Sequence, residues 1–590
     1  MIGFVRAIGF LVVLLSAFAF GQSPSAHPLA TVRVGLWTLW HDKALTVSSA
    51  PDGAATLRIC GEGNDCAFAA RATPIGIRAT GNRLAVGKGP DAASIEIAGP
   101  VSLSAHSESL TLRNPLRISA RNGELVLAVT LPVESYVERV VACESGTADS
   151  AESLKALAVV VRSFALHLAH GHRDYDLCDS THCQLLHWGS GGYRRAAHAA
   201  TLATAGETLW FHGQRAEAWF HQNCGGRTAS PQEAWPATAK GREALRRPMP
   251  WLASRTDPYC TAGGAREWST SLSLADLSAA LATAGLVRPG WKSLTVARRG
   301  ESGRAVALLV GSAEVSAEDF RLAIGRAMGW GKILSTWFEV SAQGDQFFFH
   351  GRGSGHGVGL CQAGAAAMSA AGRDYGQILA QYFPGAIVAD EATGLSWQAL
   401  SGQGFKLETL NATDSSYLPQ LNQALAEAES RSGLQTDGPI TVRAFRSTPA
   451  FRDATLAPGW VAAFTEGNWI AMQPLATLAA RKLLGPILLH EFLHALVEAQ
   501  AASNTPLWLR EGLVEAWATN SGVRPSALPP ALKLDQVDGA LDRAASEAQS
   551  QAAHHAAGWY VQRLLDRYGR AQVLGWLRNG VPANILADPR

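Results

Sequence analysis

The sequence predicts an α+β protein of two domains, a β-rich domain with inserted helices followed by a mainly helical α/β domain. Apolar and polar residues alternate with a period of two from Thr31 to about Val129, which is typical of strands. The period then lengthens to three or four residues, as in helices, over "LPVESYVERVVACESGTADSAESLKALAVVVRSFALHLAHG". The composition changes after "YFPGAIVAD", so we expect a first domain over 31–390, a linker over 391–404 and a second domain over 405–590.

Strands and helices of the first domain follow from these periods. Runs such as "TVRVGLWTL", "ASIEIAG" and "LRISARNGELVLAV" are separated by Gly, Asn and Asp, which favour turns between strands. Val137, Val140 and Val141 lie three to four apart and predict one helix, and a second helix is predicted over 150–171. Strands and turns resume through "GETLWFHGQRAEAWFHQNCGGRT" and "FEVSAQGDQFFFHGRGSGHGVGL", and a further helix is predicted over 362–371.

The second domain begins with an amphipathic helix in "YLPQLNQALAEAESRSG". The segments "PITVRAF" and "GWVAAFTEGNWIAMQPL" are rich in β-branched and aromatic residues and predict strands. Three helices are predicted to finish the chain. This order of elements indicates a separate α/β unit.

The chain begins with a segment typical of a secretory signal peptide. Arg6 precedes an apolar run over 7–20, and the small residues Ala19 and Gly21 predict cleavage near Gly21, which removes residues 1–21. No later stretch reaches the roughly 18 uninterrupted apolar residues that a spanning helix needs. We therefore expect an exported protein, periplasmic or extracellular, with no transmembrane segment in its mature form.

The charge balance argues against nucleic acid as a partner. The formal net charge is +2, and 17% of the residues are charged, without a long basic run. Nucleic-acid binding needs a basic stripe or patch. The sequence therefore predicts neither nucleic acid nor a membrane surface as a ligand.

Eight cysteines in an exported chain make disulfides possible. Cys60 and Cys66 form the plainest pair, because two glycines bend the short loop "CGEGNDC" that joins them. Cys224 and Cys260 are a second candidate pair. Spacing alone proves neither pairing.

The stretch "HRDYDLCDSTHCQLLHW" combines histidines and cysteines at short spacing. A disulfide between Cys178 and Cys183 would close a small loop, which an oxidising compartment allows. A zinc ion needs four nitrogen or sulfur ligands, and His172, Cys178, His182 and Cys183 are four such residues. Free thiols are the third possibility, and the residues alone leave all three open.

The second domain carries an HExxH motif in "LLHEFLHALVEAQAASNTPLWLREGLVEAWA". Residues four apart project from one face of a helix, so His490 and His494 can bind one Zn²⁺, while the adjacent Glu491 can accept a proton from the attacking water. A catalytic zinc site needs a third protein ligand, and Glu511 on the next predicted helix supplies it. The motif predicts hydrolysis of an amide bond.

At these residues the second domain resembles the gluzincin metallopeptidases, in particular the peptidase MA-like group, in which a helix reading W-L-x-E-G carries the glutamate ligand. The resemblance implies zinc ligands at His490, His494 and Glu511, a general base at Glu491, and a partner of the ligands at Glu515. It also implies an edge strand that lies over the zinc helix and holds extended substrate, a role for "NWIAMQPL". Tyr560 and His555 are weak candidates for the group that stabilises the oxyanion.

Five blocks of the first domain resemble the SpoIID/LytB family. They are "LPVESYVERVVACESGTADSAESLKALAVVVRSFAL", "HRDYDLCDSTHCQ", "AEAWFHQNCGGRTASPQEAW", "PWLASRTDPYC" and "GRGSGHGVGLCQAGAAAMSAAGRDYGQILAQYFPG", and they occur in this order. The resemblance implies a sporulation-related, cell-wall-associated protein that acts on peptidoglycan glycan strands. The family includes lytic transglycosylases and proteins described as enhancers of cell-wall amidases.

The resemblance implies Glu144, in the block "VVACES", as the catalytic acid. Cleavage of a glycosidic bond needs a carboxylic acid that is still protonated near neutral pH, because the departing sugar oxygen is a poor leaving group. Burial beside Val140, Val141 and Cys143 would raise the pKa of Glu144 by disfavouring its ionised form. The same carboxylate could then accept the proton of the muramyl C6 hydroxyl and close a 1,6-anhydro ring.

The resemblance also implies zinc, rather than a disulfide, at His172, Cys178, His182 and Cys183, because some members of the family bind zinc with such a set. Further residues in the matching blocks are expected to bind the glycan: Arg162, Gln184, His221, Gly225, Gly226, His356, Gly357 and Gln362. Cys143 and Cys361 also lie in these blocks, and they either pair with each other or remain buried thiols.

Two functions are consistent with these residues, and in a third interpretation the second domain is a zinc-dependent structural appendage. The first is an exported enzyme with a SpoIID-like lytic transglycosylase domain and a zinc-metallopeptidase-like domain, which requires Zn²⁺ in the second domain and allows it in the first. The second is a wall-binding or amidase-enhancing first domain, with cell-wall amidases as partners, joined to a catalytic peptidase domain.

Overall fold

The computed structural model describes residues 30–585, apart from 52, 62–65, 70–73, 90, 106–107, 147–148, 168–171, 189–194, 236–248, 263–265, 437, 519–530, 545 and 584. The predicted signal peptide lies outside these described residues. The described chain forms two compact units, Ala30–Gly394 and the residues from Leu395 onward. The fold is mixed, with a β-rich first part, as the sequence predicts.

The first unit is built largely from short strands. They are β1 (Thr31–Leu36), β2 (Ala44–Ser49), β3 (Thr56–Cys60), β4 (Cys66–Ala69), β5 (Ile75–Thr80), β6 (Arg83–Val86), β7 (Ser94–Ala98), β8 (Val101–Ala105), β9 (Glu108–Leu112), β10 (Leu116–Arg121), β11 (Glu124–Pro132), β12 (Leu177–Cys178), β13 (Glu207–Phe211), β14 (Gln214–Arg215), β15 (Phe220–His221), β16 (Glu267–Ser273), β17 (Leu294–Arg299), β18 (Ala305–Val310), β19 (Ala313–Ser316), β20 (Phe338–Gln343), β21 (Gln346–Arg352), β22 (Leu360–Cys361) and β23 (Ile387–Asp390).

Strands β1 to β12 form two sheets that share one hydrophobic core. One sheet has the order β12-β1-β11-β10-β7-β3-β4 and the other β6-β5-β2-β8-β9. Along β1 the side chains of Val32 and Val34 are buried and those of Thr31 and Arg33 are exposed, which is the alternation that the sequence shows. Cys60 and Cys66, opposite each other on β3 and β4, form the predicted disulfide.

Helices cover this core and carry the functional residues. They are α1 (Val133–Glu144), α2 (Ala151–Ala165), α3 (Arg195–Ala203), α4 (Pro231–Ala234), α5 (Pro258–Ala262), α6 (Leu274–Thr283), α7 (Ala317–Met328), α8 (Gln362–Ala370) and α9 (Tyr375–Tyr382). Ser150 begins α2 with a capping box that it shares with Ser153. Helix α2 ends at Ala165, earlier than the predicted 171, and residues 168–171 are outside the description.

A small subdomain is inserted in the first unit between β16 and β21, a feature that the sequence analysis did not separate. It contains two three-stranded sheets, β16-β21-β20 and β17-β18-β19, with α6 and α7. Its own core includes Trp268, Leu308, Phe320 and Phe349. Because β16 and β21 are antiparallel, with Glu267 opposite Arg352, the chain enters and leaves the insertion at the same place.

The second unit is a mixed sheet surrounded by helices. Its elements are β24 (Gln398–Ser401), β25 (Phe405–Thr409), β26 (Ile440–Ala444), β27 (Ala463–Glu466), β28 (Trp469–Met472), α10 (Leu418–Ser432), α11 (Thr448–Thr455), α12 (Leu475–Ala480), α13 (Leu484–Gln500), α14 (Leu507–Ala518), α15 (Leu534–Asp542) and α16 (Glu547–Asn579). The sheet order is β24-β25-β26-β28-β27, and β25, β26 and β28 are parallel.

The second unit differs from the prediction in three respects. The predicted linker contains β24, which pairs with β25, so part of 391–404 belongs to the sheet. Five helices of the described chain, α12 to α16, follow the last strand instead of three. The segment "NWIAMQPL" contains β28, which lies between β26 and β27, so the edge strand beside it is β27.

A search of the described residues finds no helix long and apolar enough to cross a membrane.

Candidate functional site

Glu144 is the last residue of α1, where the helix face that packs on the core reaches its end. Its side chain is half-buried. Burial raises the pKa of Glu144 to about 7, and a hydrogen bond from the backbone N–H of Leu185 opposes this increase only in part. The amide of Gln362, the first residue of α8, donates to the backbone carbonyl of Glu144 at 3.0 Å. The sequence therefore places a carboxyl here that is half-protonated near neutral pH.

The four predicted zinc ligands of the first unit lie together. One ligand atom of each of His172, Cys178, His182 and Cys183 lies within 4.8 Å of the other three. The Nε2 atom of His172 is 3.2 Å from the Sγ atom of Cys183, and Nδ1 of His182 is 3.8 Å from the Sγ atom of Cys178. The two cysteines are free thiols rather than a disulfide.

This donor set fits a zinc ion. Two imidazole nitrogens and two sulfurs are a common zinc ligand set, and their atoms already converge on one region. Contact with Cys183 and hydrogen bonds from His172 and His182 lower the pKa of the Cys178 thiol and favour its metal-binding thiolate. His182 is exposed, so the cluster is open to solvent on that side.

Tyr136 connects the cluster with Glu144, and the sequence analysis missed it. Its buried hydroxyl donates to Oε1 of Gln184 at 3.0 Å. Burial raises the pKa of Tyr136 well above its ordinary value, and the negative charges of Cys183, Cys178 and Glu144 add to this effect. Tyr136, Val140 and Glu144 follow each other at intervals of four on α1, so their shared helix face was a signal available in the sequence.

Gln184 is buried and its Nε2 atom has no hydrogen-bond partner among the described residues. A buried amide without a partner is costly, so this group is available to a ligand that enters the site.

His221 and His356 form a second group, with ring centroids 5.7 Å apart. Nδ1 of the buried His221 donates to the carbonyl of Val358 at 3.1 Å, and its Nε2 atom has no hydrogen-bond partner among the described residues. Burial lowers the pKa of His221 to about 3, and the positive charge of Arg304 contributes. His221 lies opposite Cys361 on the paired strands β15 and β22, next to Gln362.

Three glycines predicted to bind glycan lie where the backbone itself requires glycine. Gly225 and Gly226 have φ of 75° and 106°, and they turn the chain around the buried Cys224. A Cβ atom on Gly357 would lie 2.5 Å from Nε of the buried Arg304. These positions require glycine for close backbone packing, and their role as glycan contacts stays a prediction.

Arg162 is also not a substrate-binding residue. Its side chain is fully buried. Its Nε atom donates to Glu134 Oε1 at 2.8 Å, and another of its nitrogens donates to the carbonyl of Glu207 at 3.0 Å. A guanidinium held in this way inside the protein cannot reach a glycan, so the prediction was wrong.

The structure also describes the remaining cysteines. Cys143 and Cys361 are not disulfide-bonded, which agrees with the thiol alternative of the sequence prediction. Cys224 and Cys260 come together as predicted, but as free thiols.

In the second unit, α13 brings the two histidines of the HExxH motif onto one face. Their Nε2 atoms are 3.0 Å apart. The Nε2 atom of His494 is 3.6 Å from Oε2 of Glu511 on α14. Burial lowers the pKa of His494 to about 3 and that of His490 well below its ordinary value, so both rings are neutral and able to bind a metal.

Glu491 lies beside this pair and contacts the edge strand. Its Oε2 atom accepts a hydrogen bond of 2.5 Å from the hydroxyl of Thr465 on β27. Burial raises the pKa of Glu491 to about 7, against the effect of the Thr465 hydrogen bond. The edge strand next to the motif is thus β27, which corrects the assignment of this role to "NWIAMQPL".

A histidine that was not predicted completes this group. His554 on α16 places Nδ1 3.4 Å from Glu511 Oε2 and 3.7 Å from Glu515 Oε1. His555, the predicted candidate, is exposed, and the hydroxyl of Tyr560 donates to the carbonyl of Leu532 at 3.2 Å. Neither is arranged to stabilise an oxyanion.

Small residues explain why His554 reaches Glu511. A Cβ atom on Gly512 would lie 2.5 Å from the carbonyl oxygen of Ala557, and one on Gly558 would lie 3.0 Å from Cβ of Glu515. Helices α14 and α16 can therefore approach closely only with glycine at these positions.

The group also fits a zinc ion. Glu511 Oε2 is buried and has no hydrogen-bond partner among the described residues, although it faces two histidines. Two neutral imidazoles and one carboxylate are the protein ligands of a catalytic zinc site with an open fourth position.

Comparison with known proteins finds similarity in the first unit. A model of the SpoIID family, described as stage II sporulation protein, matches residues 121–211. This range contains α1, α2 and the histidine–cysteine cluster. A model described as a domain of unknown function, DUF8618, matches residues 263–359, which correspond to the inserted subdomain and the glycine-rich loop after it.

Three similar proteins cover less than half of this chain. An uncharacterized protein of Brachyspira hyodysenteriae is 26% identical over 272 residues, 46% of this chain and 70% of the relative. Stage II sporulation protein D of Bacillus subtilis is 24% identical over 277 residues, 44% of this chain and 75% of the relative. That of Bacillus amyloliquefaciens is 24% identical over 283 residues, 45% and 76% of the two chains. The resemblance of the first part of the chain to SpoIID is thereby confirmed, and the gluzincin resemblance stays a prediction.

Proposed function

We propose that the first unit is an exported, cell-wall-associated enzyme that cleaves peptidoglycan glycan strands as a lytic transglycosylase, with Glu144 as general acid and base. One observation carries the proposal: burial raises the pKa of Glu144 to about 7 at the end of α1. The similarity to two proteins named stage II sporulation protein D supports a related role.

Glu144 can perform both proton transfers of this reaction. In its protonated form it donates to the glycosidic oxygen as the bond to the muramyl carbon breaks. The resulting carboxylate accepts the proton of the muramyl C6 hydroxyl, whose oxygen closes the 1,6-anhydro ring. The Leu185 N–H and the Gln362 amide hold the end of α1 during these steps.

The histidine–cysteine cluster would hold zinc in this unit through His172, Cys178, His182 and Cys183. When bound, zinc would supply a fixed positive charge beside the glycan site. Tyr136 and Gln184 lie between this cluster and Glu144, and the unpaired amide of Gln184 would bind a sugar hydroxyl.

Glu144→Gln tests the proposal. The variant should lose the formation of 1,6-anhydromuramyl ends from purified peptidoglycan by about 10²-fold or more, because the amide cannot donate a proton as an acid does. Glu138→Gln, on the same helix but paired with His198 on its other side, is the matched control and should retain activity. Undiminished product from Glu144→Gln would exclude Glu144 from the reaction.

Sedimentation of the unchanged protein with wall material, without any sugar product but with faster amidase turnover, would favour the amidase-enhancing alternative.

We further propose that the second unit is a zinc-dependent peptidase. The convergence of His490, His494 and Glu511, with the buried Glu491 beside them, carries this proposal. When bound by the three ligands, zinc would supply Lewis acidity toward the scissile carbonyl.

Glu491 would act as the general base. Its carboxylate is oriented by the hydroxyl of Thr465 and can accept a proton from the attacking water and later donate it to the leaving amine. Thr465 lies on an edge strand, so an extended peptide could pair with the free side of β27.

Glu491→Gln should abolish hydrolysis of casein or of wall stem peptides while zinc remains bound, because the base is lost and the ligands stay. Glu498→Gln is the control, since Glu498 is on the same helix and pairs with Arg510. Persistent hydrolysis by Glu491→Gln would contradict the assignment. His494→Ala should lose zinc, whereas Glu491→Gln should retain it. This difference would distinguish a metal ligand from the general base.

A further inference from the structure

A second cluster of metal-ligating side chains lies inside the first unit, away from the histidine–cysteine cluster. It consists of Cys224, Asp257, Cys260 and Cys361, and one ligand atom of each lies within 4.8 Å of the other three. All four residues are buried. We propose that they form a closed structural site for one zinc ion.

Three distant segments supply the ligands. Cys224 follows β15, Asp257 and Cys260 lie at the start of α5, and Cys361 ends β22 and caps α8. Cys224 and Cys361 are 137 residues apart in sequence. A metal ion at this place would join the three segments beneath the loop that carries His356.

The spacing fits a mononuclear site. With zinc–sulfur bonds of about 2.3 Å, tetrahedral geometry separates two sulfurs by about 3.8 Å. The Sγ atom of Cys224 is 3.2 Å from Oδ2 of Asp257, and the other ligand atoms lie within the 4.8 Å limit. Three sulfurs and one carboxylate fill all four positions and leave none for water, which is typical of structural rather than catalytic zinc.

Backbone donors point at the sulfurs. The N–H of Cys224 donates to Sγ of Cys361 at 3.2 Å, that of Gly226 to Sγ of Cys224 at 3.3 Å, and that of Gly364 to Sγ of Cys361 at 3.4 Å. Hydrogen bonds of this kind stabilise the thiolate, which is the form that binds metal. The left-handed turn at Gly225 and Gly226 provides the second of them.

Asp257 is oriented as a ligand would be. The hydroxyl of Tyr382 donates to its Oδ2 atom at 2.8 Å, and the N–H of Cys260 donates to Oδ1 at 3.0 Å. Outer partners of this type fix the direction of a ligating carboxylate. The buried guanidinium of Arg304, which donates to the carbonyl of Cys224 at 3.0 Å, offsets part of the negative charge of the ligand set.

A disulfide is the competing arrangement. It would join two of the three cysteines and leave the third as a thiol. The fully buried Asp257 would then lie beside them with no metal ion in the cluster. Asp257 accepts hydrogen bonds from Tyr382 and Cys260, but burial of a carboxylate without a directly paired cation is still costly. One divalent cation bound by all four groups would offset this cost. None of the three cysteines is disulfide-bonded in the structure.

The site would also position the catalytic end of α1. Cys361 is followed directly by Gln362, whose amide holds the backbone carbonyl of Glu144. Loss of the metal should therefore disturb Gln362, although zinc binding itself does not depend on the glycan-cleaving function proposed above.

Zinc content of the full-length protein tests the proposal. Cys361→Ser should contain one equivalent of zinc per chain less than the unchanged protein, measured by plasma mass spectrometry. Cys143→Ser, which changes a cysteine that is not disulfide-bonded and lies outside the cluster, should lose none. Cys183→Ser reports on the histidine–cysteine cluster, and the double variant with Cys361→Ser should lose the sum of the two single losses. Unchanged zinc in Cys361→Ser would overturn the proposal.

Two further measurements keep the test decisive if Cys361→Ser does not fold. Tyr382→Phe preserves the shape and removes only the hydroxyl that orients Asp257, so zinc affinity at this site should fall about 10- to 100-fold in competition with a chelator. No change would contradict the proposal. Peptide mapping of the unchanged protein without reductant should recover Cys224, Cys260 and Cys361 as free thiols after denaturation with chelator, and a disulfide between any two of them would overturn it.

Discussion

The two glutamates proposed as acid and base, one in each unit, have a raised pKa for the same reason, and the buried Glu391 and Glu515 share this property. Burial raises the pKa of both Glu144 and Glu491 to about 7. One hydrogen bond at each favours the ionised form, from the backbone N–H of Leu185 at Glu144 and from the Thr465 hydroxyl at Glu491, and in both cases the effect of burial is larger. A carboxyl with a pKa near the working pH can both donate and accept a proton, which is what a general acid and base must do.

The pH dependence of glycan cleavage follows from the pKa of Glu144. The acid must be protonated to donate, and with a pKa of about 7 the protonated fraction decreases about tenfold per pH unit at higher pH. We expect kcat/KM for release of anhydromuramyl products to fall as the pH rises through about 7. A rate that is unchanged between pH 6 and pH 9 would contradict this assignment.

Arg162 should contribute to stability rather than to glycan binding. It forms a buried ion pair with Glu134, and Arg162→Met would leave that carboxylate buried without its partner. We expect a loss of about 3–5 kcal/mol in the free energy of unfolding, measured in urea. Arg33→Met, which breaks the exposed pair with Asp176, should cost less than about 1 kcal/mol. Equal costs for the two variants would argue against the structural role of Arg162.

At the scale of elements, the close contact between α14 and α16 determines the second site. Glycines at 512 and 558 let the backbones approach, and this brings His554 of one helix against Glu511 and Glu515 of the other. The zinc ligand and its partner therefore depend on helix packing as well as on the HExxH helix.

Gly512→Ala tests this dependence. The added methyl would meet the carbonyl oxygen of Ala557, and overpacking of this kind costs about 1–3 kcal/mol. We expect a lower melting temperature and weaker zinc binding by the second unit. Gly575→Ala on α16 has no atom within 4 Å of its new Cβ and should be neutral or slightly stabilising. Unchanged zinc affinity in Gly512→Ala would show that the position of Glu511 does not depend on this contact.

At the scale of the whole molecule, each unit has a hydrophobic core of its own. The core of the first unit includes Leu157, and that of the second includes Leu509. The inserted subdomain has a third, smaller core within the first unit. Separate cores allow separate cooperative unfolding.

We expect two thermal unfolding transitions for the full-length protein, one for each unit. Leu157→Ala and Leu509→Ala each remove a buried side chain at a cost of about 2–5 kcal/mol, and each should lower only the transition of its own unit in calorimetry. A single transition that both variants shift equally would contradict independent folding.

Local spacing was enough to predict much of this protein. Alternation predicted the β-rich region, the interval of four predicted that His490 and His494 share a helix face, and the short loop predicted the disulfide between Cys60 and Cys66. These features involve residues that are close in sequence, so backbone geometry alone relates their side chains.

Contacts between distant segments were not accessible in this way. Spacing named His555 as an oxyanion candidate and gave no sign that His554 would lie against Glu511. It also assigned Arg162 to the glycan, although Arg162 is buried against Glu134, and it did not join Cys361 to Cys224. Each of these depends on how separate elements pack, and periodicity along one element carries no information about which side of it a remote segment covers.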